Sequence, residues 1–314
     1  MRRLLLLSLL LVGLRPSLSQ TNSQDVAALQ ALTKNWQNLP QNWTGATDPC
    51  TSWDGISCSN GSVTEVKLPS MNLQGRLSSA IDQLAALTHL DLSNNPNLGG
   101  PLTPNIGNLK QLTTLNLQGC SFTGNIPKEI GSLTQLTFLA LNYNNFTGEI
   151  PPTLGHLSNL FLLDLTANQL SGQIPVSTSS TPGLDQLVGT KHFHFGENQL
   201  IGPISESLFN ANMTLIHVYF QNNKFTGPIP ESLGLVQTLQ MMNLASNLLS
   251  GMVPDLSNAT QLNYLDLSNN NFTSSPAPGW FSTLTSLNTL IMDNNGLTGT
   301  IPSALFSFPQ LQQV

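Results

Sequence analysis

The chain has 314 residues, a formal charge of −6 and only 8% Asp, Glu, Lys and Arg, against about 25% in an average soluble domain. Ten basic residues over that length make no electrostatic footprint for nucleic acid, and 39% hydrophobic residues with so little charge do not describe a disordered chain. With 24 Gly, 20 Pro and many Asn, Ser and Thr, turns should be frequent, and something other than charge must solvate the surface.

Arg2 and Arg3 precede the run Leu4 to Leu14, apolar apart from Ser8. That run is too short for a membrane span, which needs about 20 apolar residues. Small residues at Ser17 and Ser19 complete a secretory leader, and cleavage is expected near Ser19–Gln20, so that residues 1–19 are removed. Six Asn-x-Ser/Thr sequons agree with that route: Asn42, Asn60, Asn145, Asn212, Asn258 and Asn271. After a leader each is a glycan acceptor on an exposed loop, and glycans can supply the solvation that charges do not.

Residues 20–62 form a separate N-terminal segment. Val26, Leu29, Leu32 and Trp36 lie at helical spacing, with Ser23 or Asp25 as the expected N-cap. Three of the four Trp residues (36, 43 and 53) fall here. Cys50 and Cys58 lie close together near its end, and in an oxidising compartment they should pair. The segment reads as a cap over the open edge of the repeats that begin at Val63.

From 63 to 314 the chain repeats the template L-x-x-L-x-L-x-x-N-x-L-x-G-x-I-P every 23 to 25 residues, with one spacing of 30. Copies start at Val63, Leu87, Leu112, Leu136, Leu160, Thr190, Leu215, Leu239, Leu262 and Leu287, and an eleventh begins at Leu311. The run L-x-x-L-x-L predicts a short strand with Leu on one side. One repeat cannot bury those Leu residues, so repeats must stack into a solenoid with a parallel sheet and a continuous core. The ninth-position Asn, at 95, 144, 168, 198, 223, 247, 270 and 295, has donors and an acceptor for backbone groups left over by the turn. Cys120 takes that place once and is expected to be a buried free thiol, with a redox-reactive thiol as the alternative. The G-x-I-P segment should be extended. The six extra residues fall within 176–189, where Ser177-Thr178-Ser179-Ser180-Thr181-Pro182-Gly183 predicts a loop, read as a tolerated surface insertion or as a ligand-contacting loop.

The cap Asp48-Pro49-Cys50-Thr51-Ser52-Trp53-Asp54-Gly55-Ile56-Ser57-Cys58 resembles that of plant leucine-rich-repeat receptor-like kinases. The Phe-Thr-Gly-x-Ile-Pro segments at 122–127, 146–151 and 225–230 resemble the plant-specific repeat, and Asn42–Asn60 with Ser274–Leu287 resemble subgroup VIII. The resemblance implies the α/β type of leucine-rich-repeat solenoid, curved, with its parallel sheet on the concave face and a disulfide-bearing helical cap. It also implies an ectodomain that continues, in family members, into a transmembrane helix and a cytoplasmic Ser/Thr kinase. The sequence shows no Gly-rich phosphate loop, H-R-D or D-F-G. It stops four residues into a repeat, which reads as a truncation. Membrane association would then come only through segments absent from these 314 residues. The expected location is the outer side of the plasma membrane, or the cell wall if the protein is soluble.

Function should lie in the positions that the template leaves free. The third-position column reads His89, Thr114, Phe138, Leu162, His192, His217, Met241 and Tyr264, and the fifth reads Asp91, Asn116, Ala140, Asp164, His194, Tyr219, Asn243 and Asp266. Aromatic anchors with polar neighbours suit an interface, against the plainer reading of aromatics that only pack on one another. The expected ligand-binding set is Phe138, Tyr143, Asp164, His192, His194, His217, Tyr219, Met241, Tyr264 and Asp266. The expected partners are an extracellular peptide or protein and a co-receptor leucine-rich-repeat kinase. His192, His194 and His217 could also meet one Zn²⁺ or sense pH. The sequence shows no second shell, so neither metal nor cofactor is assigned. A secreted inhibitor is the alternative: polygalacturonase-inhibiting proteins are similar in repeat number and length. Their C-terminal cap carries Cys, however, and this chain has none after 120. No Ser-His-Asp order, H-E-x-x-H or close carboxylate pair suggests catalysis.

Overall fold

The computed structural model describes residues 20–43, 47–296, 298–300 and 302–313. The expected leader, residues 1–19, lies outside them. No described helix is long and apolar enough to cross a membrane.

The cap opens with a helix, Ser23–Thr33, whose N-cap is Asn22 rather than Ser23 or Asp25: its side chain accepts from the Asp25 N–H at 2.8 Å. Asp25 is instead buried and accepts from the Val63 N–H at 2.7 Å, tying the helix to the first repeat. The buried helix face is Asp25, Ala28, Leu29 and Leu32. Val26 is only half-buried. Trp36 lies past the helix end in a two-residue strand paired with Gln74–Arg76, and its Nε1 donates to Arg76 O. Trp43 and Trp53 stack 4.7 Å apart. Cys50 and Cys58 are disulfide-bonded. The strand Ile56–Ser59 then pairs antiparallel with Ser62–Lys67. That pairing closes the edge that the first repeat would otherwise expose.

Ten parallel strands make up the main sheet, one per repeat: Ser62–Lys67, His89–Asp91, Thr114–Asn116, Phe138–Ala140, Leu162–Asp164, His192–His194, His217–Tyr219, Met241–Asn243, Tyr264–Asp266 and Thr289–Ile291. Each is anchored by a buried apolar residue at its centre, Leu139, Leu163, Phe193 and Val218 among them. Burying each stabilises by about 1.5–3 kcal/mol. A second run of short strands flanks the first: Gln74–Arg76, Asn97–Pro101, Ser121–Asn125, Asn145–Glu149 and Gln169–Ser171, then Ile201–Pro203, Lys224–Gly227 and Leu248–Leu249. In the third repeat the G-x-I-P segment is extended as expected: Gly124–Asn125 is strand, Ile126 is buried and Pro127 is extended. Most repeats then turn back through 3₁₀ helices such as Lys128–Ser132. Gly131 is needed there, because a Cβ would lie 2.3 Å from Thr153 O of the next repeat.

The ninth-position Asn side chains form a ladder through the core. Asn144 donates from Nδ2 to Leu117 O at 2.8 Å and Leu141 O at 3.0 Å, and accepts from the Phe122 N–H at 2.9 Å. Asn95, Asn168, Asn198, Asn223, Asn247 and Asn270 repeat the pattern. Cys120 substitutes its Sγ, 3.2 Å from Leu92 O, and the Leu98 N–H that lacks a side-chain acceptor bonds Asn95 O instead. The thiol is buried and unpaired, and burial pushes its pKa up to about 11. It is therefore protonated and inert.

The 176–189 insertion folds as a closed loop between Ile174 and the 3₁₀ turn Leu184–Gln186. Asp185 accepts from the Ser177 N–H at 2.6 Å, and Thr178 and Thr181 share a hydroxyl bond of 2.7 Å. Gly183 packs where a Cβ on Gly155 would meet its carbonyl oxygen at 2.2 Å. The loop thus sits among the 3₁₀ helices, away from the concave strands.

Candidate functional site on the concave face

The strand register aligns the two free columns. Phe138, Leu162, His192, His217, Met241 and Tyr264 pair in succession, as do Ala140, Asp164, His194, Tyr219, Asn243 and Asp266. Side chains two apart on a strand share a face, so the columns lie side by side.

At their centre His192, His194, His217 and Tyr219 form one aromatic cluster. His192 meets His217 edge-on at 4.5 Å, and His194 stacks on Tyr219 at 4.6 Å and on His217 at 5.7 Å. The Tyr219 hydroxyl donates to Met241 Sδ at 3.1 Å. Burial, followed by the neighbouring His217, His194 and Lys191, holds His192 down at about 4. Burial and then His194 also lower His217. The neutral form of both imidazoles is thereby favoured. Burial raises the phenols of Tyr219 and Tyr264, with Asp266 adding to the second.

Several polar atoms here have no partner within the protein: Asn142 Oδ1, His192 Nδ1, His194 Nε2 and Gln221 Oε1, all buried. Gln221 reaches over Gly196, where a Cβ would lie 2.5 Å from its Nε2. These atoms are places where a ligand could supply the missing bond.

The other expected residues divide. Phe138 continues the third column at the edge of the cluster. Asp164 accepts from the Thr166 N–H at 3.0 Å and sets its Oδ2 3.6 Å from His194 Nδ1. Asp266 is 8% exposed, and its Oδ1 takes both the N–H and the hydroxyl of Ser268. The fifth-position Asp and Asn are thus turn caps: Asp91, Asn116 and Asn243 likewise accept from the N–H two residues on. Tyr143 is 54% exposed at φ 54°, in the eighth-position turn rather than on a strand. Phe161 was not among the expected residues. It is 51% exposed and meets His192 edge-on at 5.0 Å. Its signal was present: second positions Thr64, Thr88, Thr113 and Thr137 precede it, and a ladder of Thr hydroxyls bonding the preceding repeat's carbonyls runs through the last three. Phe161 ends that ladder.

Residues 68–311 match the family described as leucine-rich repeat region, and residues 22–59 the leucine rich repeat N-terminal domain. The chain belongs to the leucine-rich-repeat family. It is 46% identical, over 94% of its length, to a leucine-rich repeat receptor-like protein kinase of Arabidopsis thaliana, of which it spans 34%. Among solved structures it is similar to the ectodomain of the Arabidopsis thaliana membrane receptor kinase GASSHO1/SCHENGEN3 in complex with CASPARIAN STRIP INTEGRITY FACTOR 2. That match has a TM-score of 0.83 and 32% identity, and covers 92% of this chain and 35% of the other. It is also similar to the Arabidopsis receptor kinase HAESA in complex with the peptide hormone IDA and the co-receptor SERK1. There the TM-score is 0.77 at 30% identity, covering 90% of this leucine-rich-repeat chain and 47% of HAESA.

Proposed function

We propose that the chain is the extracellular recognition region of a plant receptor-like Ser/Thr kinase, and that a peptide or protein partner docks on its concave face. The observation that carries this reading is the register-aligned column Phe138, Leu162, His192, His217, Met241 and Tyr264, mostly ring and thioether side chains, with unpaired polar atoms near it. Rigid aromatic anchors next to unsatisfied hydrogen-bonding groups are the make-up of a binding surface. The similar ectodomains solved with peptides, one of them with a co-receptor, favour this reading over a stand-alone inhibitor. A co-receptor of the same repeat class would complete the signalling complex. Catalysis would belong to a kinase segment of the whole receptor, with this region outside the plasma membrane.

The test is to screen the secreted glycoprotein against an immobilised panel of synthetic plant signalling peptides and titrate the one that binds. Tyr219→Ala, His194→Ala and Tyr264→Ala should each weaken it by about tenfold or more, the loss expected of an interface anchor. Unchanged affinity in all three would remove the concave face as the site.

A further inference from the structure

Three imidazoles converge on this face. Alternation puts His192 and His194 on the same side of one strand, and the register sets His217 directly opposite His192 on the next. One ring nitrogen from each lies within 4.8 Å of the other two. Tetrahedral coordination at about 2.0–2.1 Å places ligand nitrogens roughly 3.3–3.4 Å apart. The χ2 torsion of histidine is soft, so rotation of the rings could bring the nitrogens toward that spacing.

We propose that His192, His194 and His217 bind one divalent transition-metal ion, of which Zn²⁺ is the type, leaving a coordination position open toward the concave groove. Three features beyond proximity support it. Whereas the amides from Asn95 to Asn270 in the ladder are bonded, His192 Nδ1 and His194 Nε2 are buried without a partner. A coordinated metal would satisfy them. The carboxylate of Asp164, 3.6 Å from His194 Nδ1, stands where a metal-bound histidine usually finds the group that orients its ring. An all-imidazole donor set selects zinc, copper or nickel over magnesium and calcium, which need oxygen ligands. The open position would accept water or a carboxylate of a partner. The metal site itself does not depend on the peptide reading.

The test uses the secreted chain, stripped with EDTA and dialysed at neutral pH, with ZnCl₂ alone as the probe. Calorimetry should give one zinc per chain, with a rise in Tm that MgCl₂ does not produce. His192→Ala and His217→Ala should each weaken binding by about tenfold or more, and Asp164→Asn by a smaller factor. His156→Ala, an exposed histidine outside the cluster, should change nothing. If an Ala variant is not secreted, His192→Gln and His217→Gln are measured instead, each first checked for a metal-free melt like the parent's. Absence of both heat and Tm shift would overturn the site. So would zinc binding that survives loss of either histidine, or that His156→Ala abolishes as fully as His217→Ala.

Discussion

Replacing Asn144 by Ala should be among the most damaging single changes in the repeat region that touch no large apolar side chain. The amide is the partner of Leu117 O at 2.8 Å and of the Phe122 N–H at 2.9 Å. Leu141 O would keep a donor, because Asn168 Nδ2 also reaches it at 3.0 Å. Two buried backbone groups are therefore orphaned, each costing about 1–3 kcal/mol, or about 4 kcal/mol together. At roughly 2–4 °C per kcal/mol for a chain of this size, Tm should fall by roughly 8–16 °C, and the transition should broaden, since each repeat leans on its neighbours. Cys120→Ala is the internal control at the same template position. Leu92 O keeps the Asn95 amide at 2.8 Å, and the Leu98 N–H keeps Asn95 O, so about 1 kcal/mol or less is expected. Thermal melts by circular dichroism at fixed protein concentration read both variants. Equal shifts, or an Asn144→Ala melt within about 2 °C of the parent, would refute the ladder as the source of stability.

The paired mutant Cys50→Ser/Cys58→Ser should lose roughly 2–3 kcal/mol on the chain-entropy estimate for so short a loop; limited proteolysis should then cut first within residues 20–62, and cleavage starting elsewhere would contradict the cap's role. Iodoacetamide should leave Cys120 unlabelled in the native chain and label it after guanidinium, whereas native labelling would show that the thiol is not buried. His192 titrates at about 4 when folded and near 6.5 when unfolded, so the unfolded state binds more protons between those values and stability falls as pH drops through that window. The full shift would be about 3 kcal/mol, which screening of a partly exposed ring reduces to about 1–2 kcal/mol. Melts in EDTA at pH 6.5 and 4.5 should show that loss, diminished in His192→Gln, and equal slopes in the two proteins would refute the depressed imidazole.

Repeat spacing, strand register and the cap were legible because each rests on a residue type with one physical job. Leu recurs where a strand faces the core, Asn where a turn leaves backbone groups unpaired, and the close Cys pair where an edge needs tying down. The second run of strands was not legible. Segments such as Ser121–Asn125 carry one buried Phe between Ser, Thr and Gly and show no alternation; they pair because stacking has already brought them side by side. The role of Asp266 was missed for a related reason. Its column includes Asp91, Asn116, Asp164 and Asn243, residue types that cap turns, yet read singly each looks like a free carboxylate or amide on an exposed face. Tyr143 sits in the turn beside its strand: its column holds Asn94, Asn222, Asn269 and Asn294, all at positive φ, and Asn enrichment there is the mark of the left-handed turn.

The Asn ladder and the histidine cluster show the same chain treating buried polar atoms in opposite ways. In the ladder an amide bonds three or four backbone partners, and where Cys120 breaks the pattern the backbone pairs with itself instead. The fold therefore has local means of avoiding an orphaned group. On the concave face it does not use them: His192 Nδ1, His194 Nε2, Asn142 Oδ1 and Gln221 Oε1 have no partner within the protein. Packing of aromatics on aromatics would account for the ring contacts, and a Phe or Tyr would satisfy it as well. It does not account for buried imidazole nitrogens without a partner in the protein. A bound metal ion, or the donor and acceptor groups of a partner, would account for both the rings and the missing bonds.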